Sequence, residues 1–256
     1  MNSTRTCRFV RCLTYRPLIA ALALAWPLLS AAETQLKEVV VTATRTEAEA
    51  DSVAASISSV TRATLDRRLP ADEADLFRDE PDVAFARDAR RFGATHPNIR
   101  GLQDNRVLQL VDGVRMADFY NGGGPTNFTM NAPLGVPLDF LKRVEILRGP
   151  ASSLYGSDAM GGVVGYLTLD PADLLAKGAR FGFQPKLSYS GAHDGYTVTL
   201  LGAGRADNGL EWMLGYSHTK ANEFDNQGKV DTSAPTRTAP NPQDVTDRGY
   251  IAKLAI

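Results

Sequence analysis

The sequence predicts an α+β domain followed by the first strands of an antiparallel transmembrane β-barrel. Three observations carry this. The 256 residues open on an export-type segment. Residues 33–171 then mix short β-branched runs and two short helical patterns with glycine and proline turns. After Gly178 the pattern changes to long runs that alternate apolar and polar, as strands of ~10 residues do with one face in lipid.

Arg5, Arg8, Arg11 and Arg16 form a positive n-region, residues 18–29 an apolar run, and Ser30-Ala31-Ala32 a small-residue cleavage site. Residues 1–32 therefore read as a signal peptide, with Glu33 opening the mature chain. The run is shorter than the ~20 apolar residues of a membrane-spanning helix. No other segment is long and apolar enough, so membrane residence has to use strands. Cys7 and Cys12 both lie in the signal. The mature chain then has no thiol for a disulfide, a zinc cluster or covalent catalysis, which suits an oxidising periplasm. A net charge of −1 leaves no basic footprint for nucleic acid.

Glu38-Val39-Val40-Val41-Thr42-Ala43 is rich in β-branched residues and sits near the mature N-terminus. Within a domain it is a first strand. At a free end it is a strand that another protein's sheet edge can capture. Both readings stand on these residues alone.

Residues 53–60 read as a short β-run. Residues 61–69 read as a helix, with Thr61 as N-cap and Leu65 and Leu69 on one face. Residues 71–78 read as a second helix that buries Leu76 and Phe77 and stops at Pro81, its acidic residues forming a solvated face. Strand signals follow at Asn98-Ile99-Arg100-Gly101, at 106–111 before the Asp112-Gly113 turn, at 141–147 and at 161–169.

Beyond Gly178, Phe181, Phe183, Leu187 and Tyr189 fall on one face of a strand. Tyr196, Val198 and Leu200 alternate in a second, and Trp212, Leu214 and Tyr216 in a third. The turns at 191–195 and 206–209 are short, a long polar loop covers 219–247, and a fourth strand begins near Arg248. Short turns on one side and longer loops on the other fit a barrel, although a soluble β-sandwich alternates in the same way. Bacterial barrels need about eight strands or more, and lipid does not tolerate open edges. The chain is therefore expected to be an N-terminal fragment of a longer protein.

Chemistry is sparse. Gly122-Gly123-Gly124-Pro125 lacks the lysine and hydroxyl of a phosphate loop, and Gly149-Pro150-Ala151-Ser152 has the wrong glycine spacing for a nucleophile elbow. No nucleophile, base and orienter set is found, so no catalytic residue and no enzyme is predicted.

Three blocks in order and spacing resemble the TonB-dependent outer-membrane receptors of Gram-negative bacteria. Glu38-Val39-Val40-Val41-Thr42-Ala43 is similar to that family's Ton box. Asn98-Ile99-Arg100-Gly101 running on to Asp112-Gly113-Val114-Arg115, and Leu141-Lys142-Arg143-Val144-Glu145-Ile146-Leu147-Arg148-Gly149-Pro150 running on to Val163-Val164, resemble its plug. The resemblance implies a plug within a barrel of about 22 strands. Residues 33–50 would hold the Ton box and an extension, 51–175 the plug, and 179–256 roughly the first four strands. Asp170-Pro171-Ala172-Asp173-Leu174-Leu175 is similar to the haem and haemoglobin receptor branch.

The resemblance implies import of haem, including haem stripped from haemoproteins, with no permanently bound cofactor. Iron-siderophores and cobalamin are alternative cargoes, and a soluble periplasmic β-rich binding module is the alternative outside this class. Implied partners are TonB with ExbB and ExbD of the inner membrane, haem or a haemoprotein, and outer-membrane lipid, without nucleic acid. TonB would take Glu38, Val39, Val40, Val41, Thr42 and Ala43. Ligand contacts are expected in the plug's outward loops, at 85–97 and 116–134, from Arg90, Arg91, His96, Tyr120, Asn127 and Phe128. His96 is the candidate axial ligand for haem iron, while His193 and His218 read as surface residues. Arg100, Glu145 and Arg148 resemble residues that lock the plug against the barrel wall.

Overall fold

A computed structural model describes residues 39–40, 42, 48–49, 56–88, 93–118 and 136–256. In chain order, β1 (Val39–Val40) and β2 (Ala48–Glu49) pair as a short antiparallel ribbon. β3 (Ser56–Thr61) runs directly into α1 (Arg62–Arg68), and α2 (Glu73–Leu76) follows. β4 (Val83–Asp88) and β5 (Gly93–Ile99) form a second ribbon. β6 (Val107–Val111) turns into β7 (Val114–Arg115). β8 (Leu141–Arg148), α3 (Ser152–Tyr155), β9 (Gly162–Thr168) and α4 (Pro171–Leu174) come next. The chain then runs through β10 (Phe181–Ser190), β11 (Gly195–Arg205), β12 (Glu211–Asn222) and β13 (Asp244–Ala255).

The first part is built on a five-stranded sheet ordered β3-β8-β9-β6-β7, in which only β6 and β9 run parallel. β6 and β9 read as nearly continuous apolar runs because both faces are covered, whereas β8 carries four charged residues among its apolar ones. On one face Leu65, Leu76, Phe77 and Ile99 pack against Val144, Ile146 and Tyr166. On the other, Leu108, Leu147 and Val163 pack against Ala151 and Ala159.

The last four strands form an open antiparallel meander. Its inner face carries Leu201, Ala203 and Met213, which close a third core with Phe140, Leu169 and Leu175. Phe140 enters over small residues: a Cβ at Gly249 would lie 2.3 Å from Pro137 and 3.3 Å from the Phe140 ring. The outer face leaves Phe181, Phe183, Leu187, Tyr189, Leu214, Tyr250 and Leu254 exposed. The described strands after Gly178 form one open sheet with an exposed apolar face. No helix among the described residues is long and apolar enough to cross a membrane.

The expected helices are present but shorter. α1 ends at Leu69, whose positive φ of 49° caps it. Thr61 occupies the N-cap position without a capping hydrogen bond from its side chain. Asp72 caps α2 by accepting from the Asp75 N–H at 2.8 Å, which leaves one turn of helix with Leu76 and Phe77 buried beside it. The segment 85–97 is not an outward loop: β4 and β5 occupy most of it. Pro97 lies opposite Phe85, next to a register shift, where a ribbon strand tolerates a residue without an N–H. The polar loop is also shorter than its composition suggests. Thr219, Lys220, Ala221 and Asn222 pair with Asp247, Thr246, Val245 and Asp244, extending β12 and β13.

Candidate functional site

The N-terminal segment is not a free ribbon. Thr42 is buried against the centre of the five-stranded sheet. Its N–H donates to Glu145 Oε2 at 2.6 Å, and its carbonyl accepts from the Tyr155 hydroxyl at 2.7 Å. Glu145 on β8 lies opposite Gly165 on β9, and the absent side chain there makes the room: a Cβ on Gly165 would sit 2.2 Å from the Thr42 hydroxyl oxygen. Glu145 is fully buried, and its other carboxylate oxygen accepts from Arg143 Nε at 2.8 Å. A buried carboxylate is tolerable only when paired and hydrogen-bonded. The arrangement is a clasp in which β8 and α3 hold the chain at Thr42.

Arg148, three residues along the same strand, does a different job. Its Nε donates to the Pro81 carbonyl at 2.9 Å, and its Nη2 donates to Ser58 Oγ at 2.8 Å and Glu80 Oε2 at 2.9 Å. The Ser58 hydroxyl in turn donates to Glu80 at 2.7 Å. β8 is thus pinned to β3 and to the turn between α2 and β4. Arg100 is exposed and pairs with exposed Asp82 at 3.1 Å, a geometry worth ~1 kcal/mol or less. The residues that bind them, Asp82 for Arg100, Thr42 and Arg143 for Glu145, and Ser58, Glu80 and Pro81 for Arg148, all precede the meander in the chain.

Other residues join the sheet domain to the meander. Asp139 accepts from Lys186 on β10, and from the Thr199 hydroxyl on β11 at 2.7 Å. Arg62 on α1 fixes the same segment by donating to the carbonyls of Asp139 and Leu141 at 2.8 and 2.9 Å. Thr199 continues to Ser217 at 3.2 Å, and Thr197 to Thr219 at 2.9 Å. Lower down, Lys253 on β13 reaches Asp170 at 3.0 Å and the Thr168 carbonyl at 3.3 Å. Lys142 binds Asp170 and Asp173 at 3.3 and 2.9 Å. The signal that could have found these contacts is the pair of lysines at 186 and 253 on the faces opposite the exposed aromatic and leucine side chains, since charges turned inward need partners.

Burial pushes the Asp170 carboxyl up, but hydrogen bonds and charge from Lys253 and Lys142 outweigh it, and its pKa lies below the ordinary value. A carboxylate depressed on folding contributes stability above its unfolded pKa and loses it as pH falls through the folded one. Acidification from neutral pH is therefore expected to release β13 from α4. Melting curves of the protein check this: the stability gap between wild type and Asp170→Asn should narrow steadily as pH falls through the carboxylate range. Lys142 moves the opposite way. Burial lowers its pKa, but Asp173 and Asp170 raise it further, to a net increase.

Residues 49–163 match the family model described as the TonB-dependent receptor plug domain. The chain carries a TonB-dependent receptor plug. It is 38% identical over 123 residues to the heme/hemopexin utilization protein C of Haemophilus influenzae, covering 47% of this chain and 16% of that protein. It is 31% identical over 201 residues to transferrin-binding protein A of Neisseria meningitidis serogroup B, covering 76% of this chain and 22% of that protein. The chain thus spans about a fifth or less of these relatives. The FrpB iron transporter of Neisseria meningitidis shares the fold, with a TM-score of 0.60 at 21% identity over 77% of this chain and 28% of that one. The ferric enterobactin receptor PfeA of Pseudomonas aeruginosa does so with a TM-score of 0.56 at 21% identity, over 78% and 30%.

Between the plug and the meander lies an open cavity of about 640 Å³. Asp72 and Glu73 line it from the plug, and Lys186, His193, Thr219 and Asp247 from the strands. His193, expected at the surface, packs edge-on against Phe224 at 5.2 Å with its Nδ1 buried and unbonded. Among the described residues no group of three or more His, Cys, Asp or Glu is placed to hold a metal. His96 lies in β5, but its side chain is outside the described residues. So are Arg90, Arg91, Tyr120, Asn127 and Phe128, and, in the N-terminal segment, Glu38, Val41 and Ala43.

Proposed function

We propose that this chain is the plug and the first wall strands of an outer-membrane receptor that imports an iron-containing ligand, with haem as the preferred cargo. TonB, working with ExbB and ExbD, takes the 38–43 segment by strand addition and pulls the plug. The observation that carries this reading is the clasp at Thr42. A β-prone terminal segment is held at the buried Thr42 by side chains of β8 and α3, outside the five-stranded sheet's own ladder. Such a hold keeps the segment close to the plug and exchangeable for a partner strand.

Haem is favoured by the likeness to a heme/hemopexin utilization protein. The likeness to a transferrin-binding protein over a longer stretch favours cargo drawn from a host iron protein as a second reading. His96, by its place in the second plug strand ribbon, is the proposed axial ligand. The amphipathic meander, with aromatic residues near both ends of its exposed face, supports the membrane wall.

One experiment tests cargo and coupling together. Full-length receptor lacking residues 38–43 is expected to bind haem with a shifted Soret band, yet to import none into cells. His96→Ala is expected to lose the shift. A wild-type receptor without any shift rejects haem; import undiminished by the deletion rejects the coupling role.

A further inference from the structure

We propose that Lys220 and Arg248 form a site for the phosphate of a glycolipid headgroup, on the outward face of the meander; this rests on reading the meander as a membrane wall. The register places the outward residues in rows. Phe181 and Trp212 mark one end, their rings 6.2 Å apart. Phe183, Leu200 and Leu214 follow in the middle rows, which contain no charge. At the other end Tyr189 faces Tyr196, and Tyr196 faces Lys220. One row inward, His218 faces Arg248.

The height fits a bilayer. From Phe181 to Tyr189 the strand rises ~27 Å at ~3.4 Å per residue. At a tilt of ~40° this spans ~21 Å, close to the ~25 Å apolar band of such barrels. The tyrosine row and Lys220 therefore stand at headgroup level, on the side of the 223–243 loop. Polar strand ends continue past the apolar band there, as Lys220 pairs with Thr246 and Asn222 with Asp244.

The two cations are set apart from the others on these strands. Lys186, Arg205 and Lys253 each have a carboxylate partner. Lys220 and Arg248 are exposed and have no ion pair or side-chain hydrogen bond among the described residues. They are diagonal neighbours across β12 and β13, ~7–8 Å apart at the backbone, so both long side chains reach one phosphate. The nearest carboxylate on this face, Asp244, lies one row further out. Asp194 in the adjoining turn is already bound by the Tyr189 hydroxyl at 2.7 Å. His218 floors the site, its ring edge-on to Tyr196 at 6.1 Å and its Nδ1 buried without a partner. Guanidinium and ammonium groups suit phosphate, and a ligand on a lipid-facing wall beside exposed leucines is a membrane lipid.

The test uses full-length receptor in phosphatidylcholine vesicles doped with a bis-phosphorylated glycolipid of the lipid A type, or with its dephosphorylated form. Lipid retained on the extracted protein is counted by native mass spectrometry. Each surface cation contributes about fivefold to anionic-lipid affinity. The double variant K220Q/R248Q is thus expected to bind the phosphorylated lipid about thirtyfold more weakly, with no change for the dephosphorylated one. Equal retention of the two lipids by wild type, or undiminished retention by the variant, overturns the site. Heat-modifiable migration on gels reports barrel formation independently: a folded, inserted receptor blind to phosphate loses only this site, whereas failure to insert removes the membrane-wall reading and the site with it.

Discussion

Glu145→Ala is expected to release the 38–43 segment while the plug sheet stays folded. The substitution removes the acceptor of the Thr42 N–H and leaves that donor buried. An unsatisfied buried donor costs ~1–3 kcal/mol. The segment can escape this cost by leaving the surface, because among the described residues Thr42 is bound by the Glu145 carboxylate and the Tyr155 hydroxyl and fits over Gly165. Undocking is therefore cheaper than unfolding. Protection of the Thr42 amide against hydrogen exchange should fall about 10- to 100-fold in the full-length receptor, and protease cleavage within 38–45 should rise in step. Amides of β8 and β9 should keep their protection. Glu145→Gln separates charge from hydrogen bonding, since its amide oxygen still accepts from Thr42 while the pairing with Arg143 weakens. It should undock less than the alanine variant. If both variants leave the Thr42 amide as protected as wild type, the clasp is not what holds the segment.

The clasp was not legible in the sequence because its halves lie 103 residues apart and neither has a local signature. A hint existed: Glu145 stands among Val144, Ile146 and Leu147 in a run that reads as buried strand, and a carboxylate there must find a donor. Where the chemistry was local, the sequence was readable. Asp112-Gly113 marks a turn because both residues take positive φ, 47° and 80°, which asparagine, aspartate and glycine adopt most readily. The outward faces of β10–β12 were readable because strands with one apolar face alternate with period two. β4 was missed because Arg87 and Asp88 interrupt any alternation, and pairing with β5 rather than propensity holds the ribbon. The far ends of β12 and β13 were missed because they are polar: outside an apolar environment a paired strand and a loop have the same composition. Arg100, Glu145 and Arg148 were grouped by resemblance, but the structure gives them three unlike settings, exposed, clasping and pinning.

Arg148→Ala should act on folding, not on docking, and its effect should be the larger. The side chain is 6% exposed and its partner Glu80 14% exposed. Removing one member of a buried pair costs ~3–5 kcal/mol, because the other is left charged and unpaired. Ser58 and the Pro81 carbonyl lose donors as well. Chemical denaturation of the full-length receptor, followed by pulse proteolysis of the plug, should show a loss of this size. The double variant Arg148→Met with Glu80→Gln removes both charges while keeping volume, and should recover most of it. If it is as unstable as Arg148→Ala, the stranded carboxylate is not the cause. The pairing has a mechanical meaning too. A pull on the N-terminal segment reaches β8 through the Thr42–Glu145 hydrogen bond, in the middle of that strand, and β8 lies between β3 and β9. Arg148 fixes that strand to β3 through Ser58 and to the 80–81 turn. With it in place, tension is shared across the sheet. Without it, β8 and β3 are held mainly by their ladder, and the plug should give way at lower force in single-molecule pulling from the N-terminus.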